Sequence, residues 1–165
     1  MSTSTRARTT AYLPPLGTHE RAEAGQQLQE TLVELVDLAL TGKQLHWSVT
    51  GPFFRSLHLQ LDELIGSWRE LGDTVAERAV AIGFMPDGRA GTVARDSALG
   101  AVEPGSLEDH FVVSLLTRSL AEAVERVRVR MDRLSEIDPA SEDVLVEVVR
   151  ALEEQLWMIR VQLSS

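Results

Sequence analysis

The chain has 165 residues, a formal net charge of −9, 44% hydrophobic and 25% charged residues, and no cysteine. One domain of this size can bury a core. The lack of cysteine excludes disulfides, thiol catalysis, zinc ribbons and iron–sulfur clusters, and the negative charge opposes wholesale binding of phosphate backbones while attracting small cations.

Residues 1–17, rich in Ser, Thr and Ala with Arg6 and Arg8 and ending in Pro14, Pro15 and Gly17, read as a flexible N-terminal arm. Residues 18–165 read as one folded unit. Leu28, Leu32, Leu35, Leu38, Ala39, Gly42 and Leu45 recur at helical steps and predict a long first helix that ends near Thr50, Gly51 and Pro52. A second helix is predicted from about Phe54 to Ile82 on Leu57, Leu61, Leu64, Ile65, Trp68, Leu71, Val75 and Ala79, with Gly83 as its cap. Residues 83–106 hold five glycines and two prolines, too long a stretch for featureless coil, and Thr92 to Ser97 suits a short helix. The third helix is predicted over Leu107 to about Ile137. The fourth runs from Pro139 to about Leu163, with Asp138 as cap and Pro139 in the first position. No strand-like alternation is present. The fold class is therefore all-α: a ferritin-like four-helix bundle with a long crossover between helices two and three.

No apolar run approaches the roughly 18 residues that a membrane span requires, and the first residues lack the apolar core of a signal peptide. The expected location is cytoplasmic, with no membrane partner.

The predicted second helix carries His58, Asp62, Asp73 and Glu77. At roughly 100° per residue these four share a stripe about 100° wide, and ionisable groups gathered on one face amid an apolar pattern suggest a site, because unpaired carboxylates are costly to bury. His46, near the end of the first helix, adds an imidazole. Without cysteine, a metal here would be held by His, Asp and Glu, which suits Fe or Mn. His58/Asp62 and Asp73/Glu77 are each i,i+4 pairs, but Asp62 and Asp73 are eleven residues apart, or roughly 16 Å along a helix. Metal–ligand bonds of about 2 Å cannot span that distance, so one chain offers two half-sites. A two-fold axis near residues 67–68 would set the His/Asp half of one copy against the Asp/Glu half of another, and Gly66, on the same stripe, would permit close approach.

His46-Trp47, twelve residues to His58, four to Asp62, eleven to Asp73 and four to Glu77 resembles the ferroxidase ligand pattern of the Dps family. The text around it is similar as well: Lys43-Gln44-Leu45-His46-Trp47, Gly51-Pro52-Phe53-Phe54, Leu57-His58, Ala76-Glu77-Arg78, Glu142-Asp143-Val144-Leu145 and Leu156-Trp157. The resemblance spans about residues 25–163. It implies that His46, His58 and Asp62 from one subunit act with Asp73 and Glu77 from its two-fold neighbour. Glu77 would be the main carboxylate anchor, and His58 and Asp62 would hold a second, weaker iron or a water. It further implies oxidation of paired Fe²⁺ by hydrogen peroxide, storage of Fe³⁺ in a hollow dodecamer, and protection against oxidative stress. Asp143 matches the family's ion-pore position, with Glu142 and Glu147 on the same negative path, and Trp47 matches the aromatic beside the site.

Plainer readings exist for each residue alone. Asp143 is also a helix-start carboxylate favoured by the macrodipole. Trp47, Trp68 and Trp157 suit core or interface packing, His19 and His110 read as surface residues, and Glu125 to Arg130 reads as an exposed salt-bridged face. Members of the family that condense DNA carry Lys/Arg-rich tails. Here Arg6 and Arg8 are the only cations of the arm and the net charge opposes them, so any DNA contact is expected to be weak. The alternative function is a nucleoid-associated DNA-binding shell in which iron oxidation is secondary, and a third reading is a purely structural helical oligomer. A maxi-ferritin is disfavoured, because no Glu-x-x-His pair occurs where an intrasubunit di-iron site would need it.

Overall fold

The computed structural model describes residues 12–164. Arg6 and Arg8 lie outside the described residues. Helix α1 spans Thr18–Ser48, α2 Phe54–Ala81, α3 Ala90–Asp96, α4 Asp109–Leu134 and α5 Pro139–Arg160, and a 3₁₀ turn, Val161–Ser164, follows. The long helices pair α1 with α2 and α4 with α5, and the crossover from α2 to α4 joins the two pairs into a four-helix bundle. No helix among the described residues is long and apolar enough to cross a membrane.

The apolar periodicity predicted the core well. Leu28, Leu35, Leu38 and Leu45 of α1 meet Leu57, Leu61, Trp68 and Val75 of α2, Leu116 and Leu120 of α4, and Leu145 and Leu152 of α5, all essentially inaccessible to water. Each leucine so buried contributes about 1.5–3 kcal/mol of transfer free energy. Trp68 carries one polar atom into this core, and its Nε1 donates to Gln155 Oε1 at 2.8 Å, while Gln155 in turn donates to Ser67 Oγ at 3.0 Å. The indole N–H is thus satisfied across α2 and α5, which avoids the desolvation cost of an orphan donor.

Helix ends follow local chemistry. The Gly17 amide donates to Glu20 Oε2 at 2.7 Å, the glutamate half of a capping box. At the other end of the α1–α2 pair, Gly83 takes φ 84°, and the amides of Gly83 and Phe84 donate back to Val80 and Ala79 carbonyls at 2.9 Å each. This is the Schellman closure that the glycine predicted. Asp138 occupies the N-cap position of α5 and Pro139 follows at its first position, as expected, and the Asp138 carboxylate accepts from Arg78 Nη2 at 2.7 Å and from Ser141 Oγ at 2.5 Å. Both bonds to this ionised carboxylate are charge-assisted, which ties the start of α5 to α2.

Three features depart from the sequence reading. Val49–Thr50 and Leu107–Glu108 form a two-residue parallel ladder, β1 and β2, with Val49 opposite Leu107. A ladder this short cannot show alternation, and it delays the start of α4 from Leu107 to Asp109. The last turn of the predicted fourth helix tightens into 3₁₀ geometry after Arg160. The charge run on α4 is not simply an exposed face. Arg126 Nε and Arg130 Nη1 each donate at 2.6 Å to Glu34 of α1, which is only 3% exposed, whereas Arg128 alone of the three turns to Glu153 on α5. Positions 126 and 130 share one side of the helix, and a carboxylate buried on α1 requires opposite charge there.

The crossover is pinned rather than loose. Gln29 and Asp87 exchange two bonds, side-chain amide to backbone carbonyl at 2.9 Å and backbone amide to side-chain carbonyl at 2.7 Å. Ser97 donates to Asp37 Oδ2 on α1. These bonds hold α3 against α1, which explains why a connection of this length keeps a single course.

Candidate metal centre

Helix α2 is unbroken over 28 residues, so its rise of about 1.5 Å per residue keeps the His58/Asp62 and Asp73/Glu77 pairs well apart within one chain. Its buried residues, from Leu57 through Ala79, occupy the side toward the bundle. Asp62, Gly66, Asp73 and Glu77 are exposed on another face, and His58 is half-buried at its edge. A side chain at Gly66 would meet nothing within 4 Å in this chain. Among the described residues, no group of three or more His, Asp and Glu side chains converges to hold a metal ion.

His46, in the last turn of α1, is buried, and its ring stacks on that of His58 with centroids 3.6 Å apart and planes at 24°. Each imidazole binds the other residue's backbone: His46 Nδ1 lies 2.9 Å from the His58 carbonyl oxygen, and His58 Nδ1 lies 3.0 Å from that of His46. A carbonyl oxygen only accepts, so Nδ1 carries the hydrogen in both rings. Nε2 is then the nitrogen with a free lone pair in each neutral imidazole, the form in which histidine ligates metals. Outer hydrogen bonds that fix tautomer and ring orientation in this way are typical of metal-binding histidines. The grip is possible because Val49 to Phe53 turn tightly. Gly51 adopts φ 117°, where a Cβ would also strike Asp109 Oδ2 at 2.6 Å. Asp109, buried at the start of α4, accepts the Phe53 amide at 2.8 Å and secures the turn.

Asp62 Oδ1 accepts from Lys43 Nζ at 2.7 Å and lies 3.4 Å from His46 Nδ1. The Lys43 hydrogen bond holds the Asp62 carboxyl below its usual range against an opposing effect of desolvation, with the charges around it adding to the lowering. The structure thus brings together His46, His58 and Asp62 with Lys43, which the sequence reading missed. Its spacing, three residues before His46 on the same helix face, was the available signal. Phe54 closes one side, its ring centroid 5.0 Å from that of His58. Trp47 is 69% exposed, with Lys43 Nζ 6.0 Å from its ring centroid. Core packing is therefore ruled out for Trp47 and for Trp157, which is 55% exposed, and holds only for Trp68.

Asp73 stands at the edge of an apolar groove between α1 and α2 lined by Leu35, Ala39, Leu40, Trp68, Gly72 and Ala76. Glu77 forms no hydrogen bond or ion pair with any described residue, while its neighbour Arg78 reaches α5. On α5, Asp143 and Glu147 share an open acidic groove with Glu154 and one cation, Arg150. Glu142 is half-buried and does not line it. His19 and His110 are both exposed, as expected.

A ferritin-like domain model matches residues 25–165 of the chain. The DNA protection during starvation protein of Mycolicibacterium smegmatis is 30% identical over 159 residues, which cover 95% of this chain and 86% of that protein. This chain belongs to the Dps family. The Dps relative from Deinococcus radiodurans called DNA protection during starvation protein 2 is 33% identical over 153 residues, 93% of this chain but only 64% of that protein's length. The solved structure of Dps from Microbacterium arborescens in the high iron form superimposes with a TM-score of 0.87 at 29% identity, covering 93% of this chain and 99% of that one. The ferritin-like bundle expected of a Dps chain is thereby the one observed.

Proposed function

We propose that this Dps chain assembles into a dodecameric shell that oxidises Fe²⁺ at intersubunit sites and stores the ferric product inside. The observation that carries the reading is the His46–His58 pair, in which each Nδ1 is engaged by the other residue's carbonyl and leaves Nε2 for a ligand, with Asp62 Oδ1 3.4 Å from His46 Nδ1, on a helix whose two further carboxylates of the same stripe, Asp73 and Glu77, are exposed and too distant to complete the site within one chain. A two-fold partner would supply them. Two histidine nitrogens and three carboxylates form a mixed nitrogen and oxygen ligand set suited to iron, and without thiolate they do not hold the ferric product too tightly to pass it on.

Hydrogen peroxide is the preferred oxidant. Two Fe²⁺ each give one electron, the O–O bond breaks, and two protons complete two waters, so paired irons avoid the one-electron step that releases hydroxyl radical. Asp143 and Glu147, with Glu142 behind them, would concentrate cations along the route inward. Trp47, exposed next to His46 in the chain, would intercept stray radicals beside the site. Such a shell would act in the cytoplasm, in protection against oxidative stress.

The test is anaerobic Fe²⁺ titration followed by peroxide, comparing wild type with Glu77→Ala. Rapid oxidation that saturates at one or two irons per subunit and is lost in the variant supports the ferroxidase. Equal rates in wild type, variant and a protein-free blank overturn it. The names of the relatives favour a second reading, a DNA-binding shell in which iron is secondary. DNA would be contacted weakly through Arg6 and Arg8. Salt-dependent gel retardation with and without residues 1–17 separates the two.

A further inference from the structure

The last turn of α2 carries Glu77, and Glu77 itself has no bonded partner among the described residues. Its position therefore depends on how the backbone of that turn is held. The next residue, Arg78, crosses to the start of α5, where Nη2 donates to Asp138 Oδ2 at 2.7 Å and Nε donates to Ser141 Oγ at 2.9 Å. Ser141 also donates to the same Asp138 oxygen at 2.5 Å. The receiving end is rigid: Asp138 is 6% exposed, Ser141 is fully buried, and the Asp138 amide is tied to the Leu134 carbonyl at 2.9 Å. The two donors used by Arg78 diverge from one planar guanidinium, so they fix orientation as well as distance, which a lysine could not do.

An ion pair this far out of water is weak evidence for stability, because desolvating two charges offsets much of their attraction, and apolar residues of the same volume often serve as well. What the pair does supply is register between α2 and α5. The first two turns of α5 also bear Asp143, four residues after Pro139.

We propose that Arg78, Asp138 and Ser141 form a clamp that positions Glu77 for metal binding, making Arg78 a positioning residue of the ferroxidase site. This rests on the intersubunit site proposed above. It adds that the affinity of the Glu77 end is set from α5, about one helix diameter away from the ligands. Loosening the clamp lets the last turn of α2 shift without unfolding it, because the Schellman closure at Gly83 remains.

The experiment uses Co²⁺ as a redox-inert probe, titrated calorimetrically into the assembled wild type, Arg78→Met, Arg78→Lys, Asp138→Asn, the double variant Arg78→Met/Asp138→Asn, and Glu77→Ala. Assembly and helix content are checked for each, well below its melting temperature. The expected result is that Arg78→Met and Asp138→Asn each weaken Co²⁺ binding about tenfold, in the range seen when outer-shell partners of a metal ligand are removed. The double variant should be no worse than either single one, since both break the same contact. Arg78→Lys should recover only part of the affinity. In Fe²⁺ oxidation the loss should appear in KM for iron rather than in kcat. Wild-type Co²⁺ affinity in Arg78→Met and Asp138→Asn, with binding abolished in Glu77→Ala, would overturn the clamp and leave the site intact. Wild-type affinity in Glu77→Ala as well would overturn the site and the clamp together. If Arg78→Met fails to fold, Ser141→Ala removes a single hydroxyl and must show the same direction of change, or the proposal falls.

Discussion

Gly66 offers a direct test of whether the ligand face of α2 meets a second copy. In the single chain, a methyl group at this position touches nothing within 4 Å. Glycine costs a helix interior about 1 kcal/mol relative to alanine. If the face simply meets water, Gly66→Ala should stabilise the protein by about 1 kcal/mol, which raises Tm by roughly 2–4 °C for a chain of this length. Gly66→Leu should do nearly the same. If two copies of α2 pack antiparallel about residues 67–68, the helix axes approach to about 8–10 Å and position 66 falls beside the two-fold axis. A leucine there overpacks the interface at about 1–3 kcal/mol. Symmetry places one from each copy at the same contact, so the penalty per dimer is about twice that. The reasoning therefore expects Gly66→Leu chains to remain helical but to lose assembly in analytical ultracentrifugation, and with it Fe²⁺ oxidation. Gly42→Ala is the contrasting control: its Cβ would lie 2.6 Å from Trp68 Cζ3, so it should destabilise the bundle itself, whatever the face of α2 meets. A Gly66→Leu protein that assembles, melts higher and oxidises iron at the wild-type rate would refute the packing of α2 against α2.

Two further predictions concern buried charge. Glu34→Gln leaves Arg126 and Arg130 without their shared carboxylate, with the more exposed Glu30, 3.3 Å from Arg130, and Glu122, 3.9 Å from Arg126, in partial compensation. Breaking a buried pair from one side should cost about 3–5 kcal/mol in denaturant unfolding, whereas replacing all three residues by Leu and Met should restore most of it; equal losses would show that packing rather than charge is at stake. The second concerns Asp138. Burial raises its carboxyl, but the Ser141 hydroxyl and the Arg78 guanidinium outweigh this and hold it below its ordinary value of 3.8. Its contribution is present in full above that value and is lost as pH falls through the lower folded value. The Tm gap between wild type and Asp138→Asn should stay constant from neutrality to about pH 5 and close at lower pH, and a gap that widens in acid would contradict the assigned charge state.

The four long helices were legible because burial of one face imposes a 3.6-residue period that no local detail obscures, and Gly83 marked the end of α2 for a stereochemical reason. The ladder between Val49 and Leu107 was not legible: two residues carry no period, and their pairing depends on a contact across 58 positions. The inward turn of Arg126 and Arg130 was missed for a related reason. The run 125–130 alone shows arginines alternating with valines after one glutamate, and the buried carboxylate of Glu34, on another helix, decides which arginines face inward. At the candidate site, His46, His58 and Asp62, which the fold brings together, could be picked out by type and spacing, and Asp73 and Glu77 were singled out on the same helix face. Their local partners could not. Lys43 on Asp62 and Asp138 on Arg78 join segments distant in sequence, and contacts of that kind follow from the packed bundle, not from any window of residues.

The mutual hold of His46 and His58 bears on the thermodynamics of capture. Neither ring can swing away without releasing a backbone oxygen of the other's helix, so the two imidazoles lose their rotational freedom when the bundle forms. On the proposed reading, an arriving cation would have little ordering left to impose at this end of the site. Because each facing carbonyl already fixes the hydrogen on Nδ1, coordination through Nε2 would require no tautomer change. On that reading, the histidine end would act as a preset receptor, while Glu77, exposed and held only indirectly through the backbone beside Arg78, would keep more freedom for adjustment and release of the product.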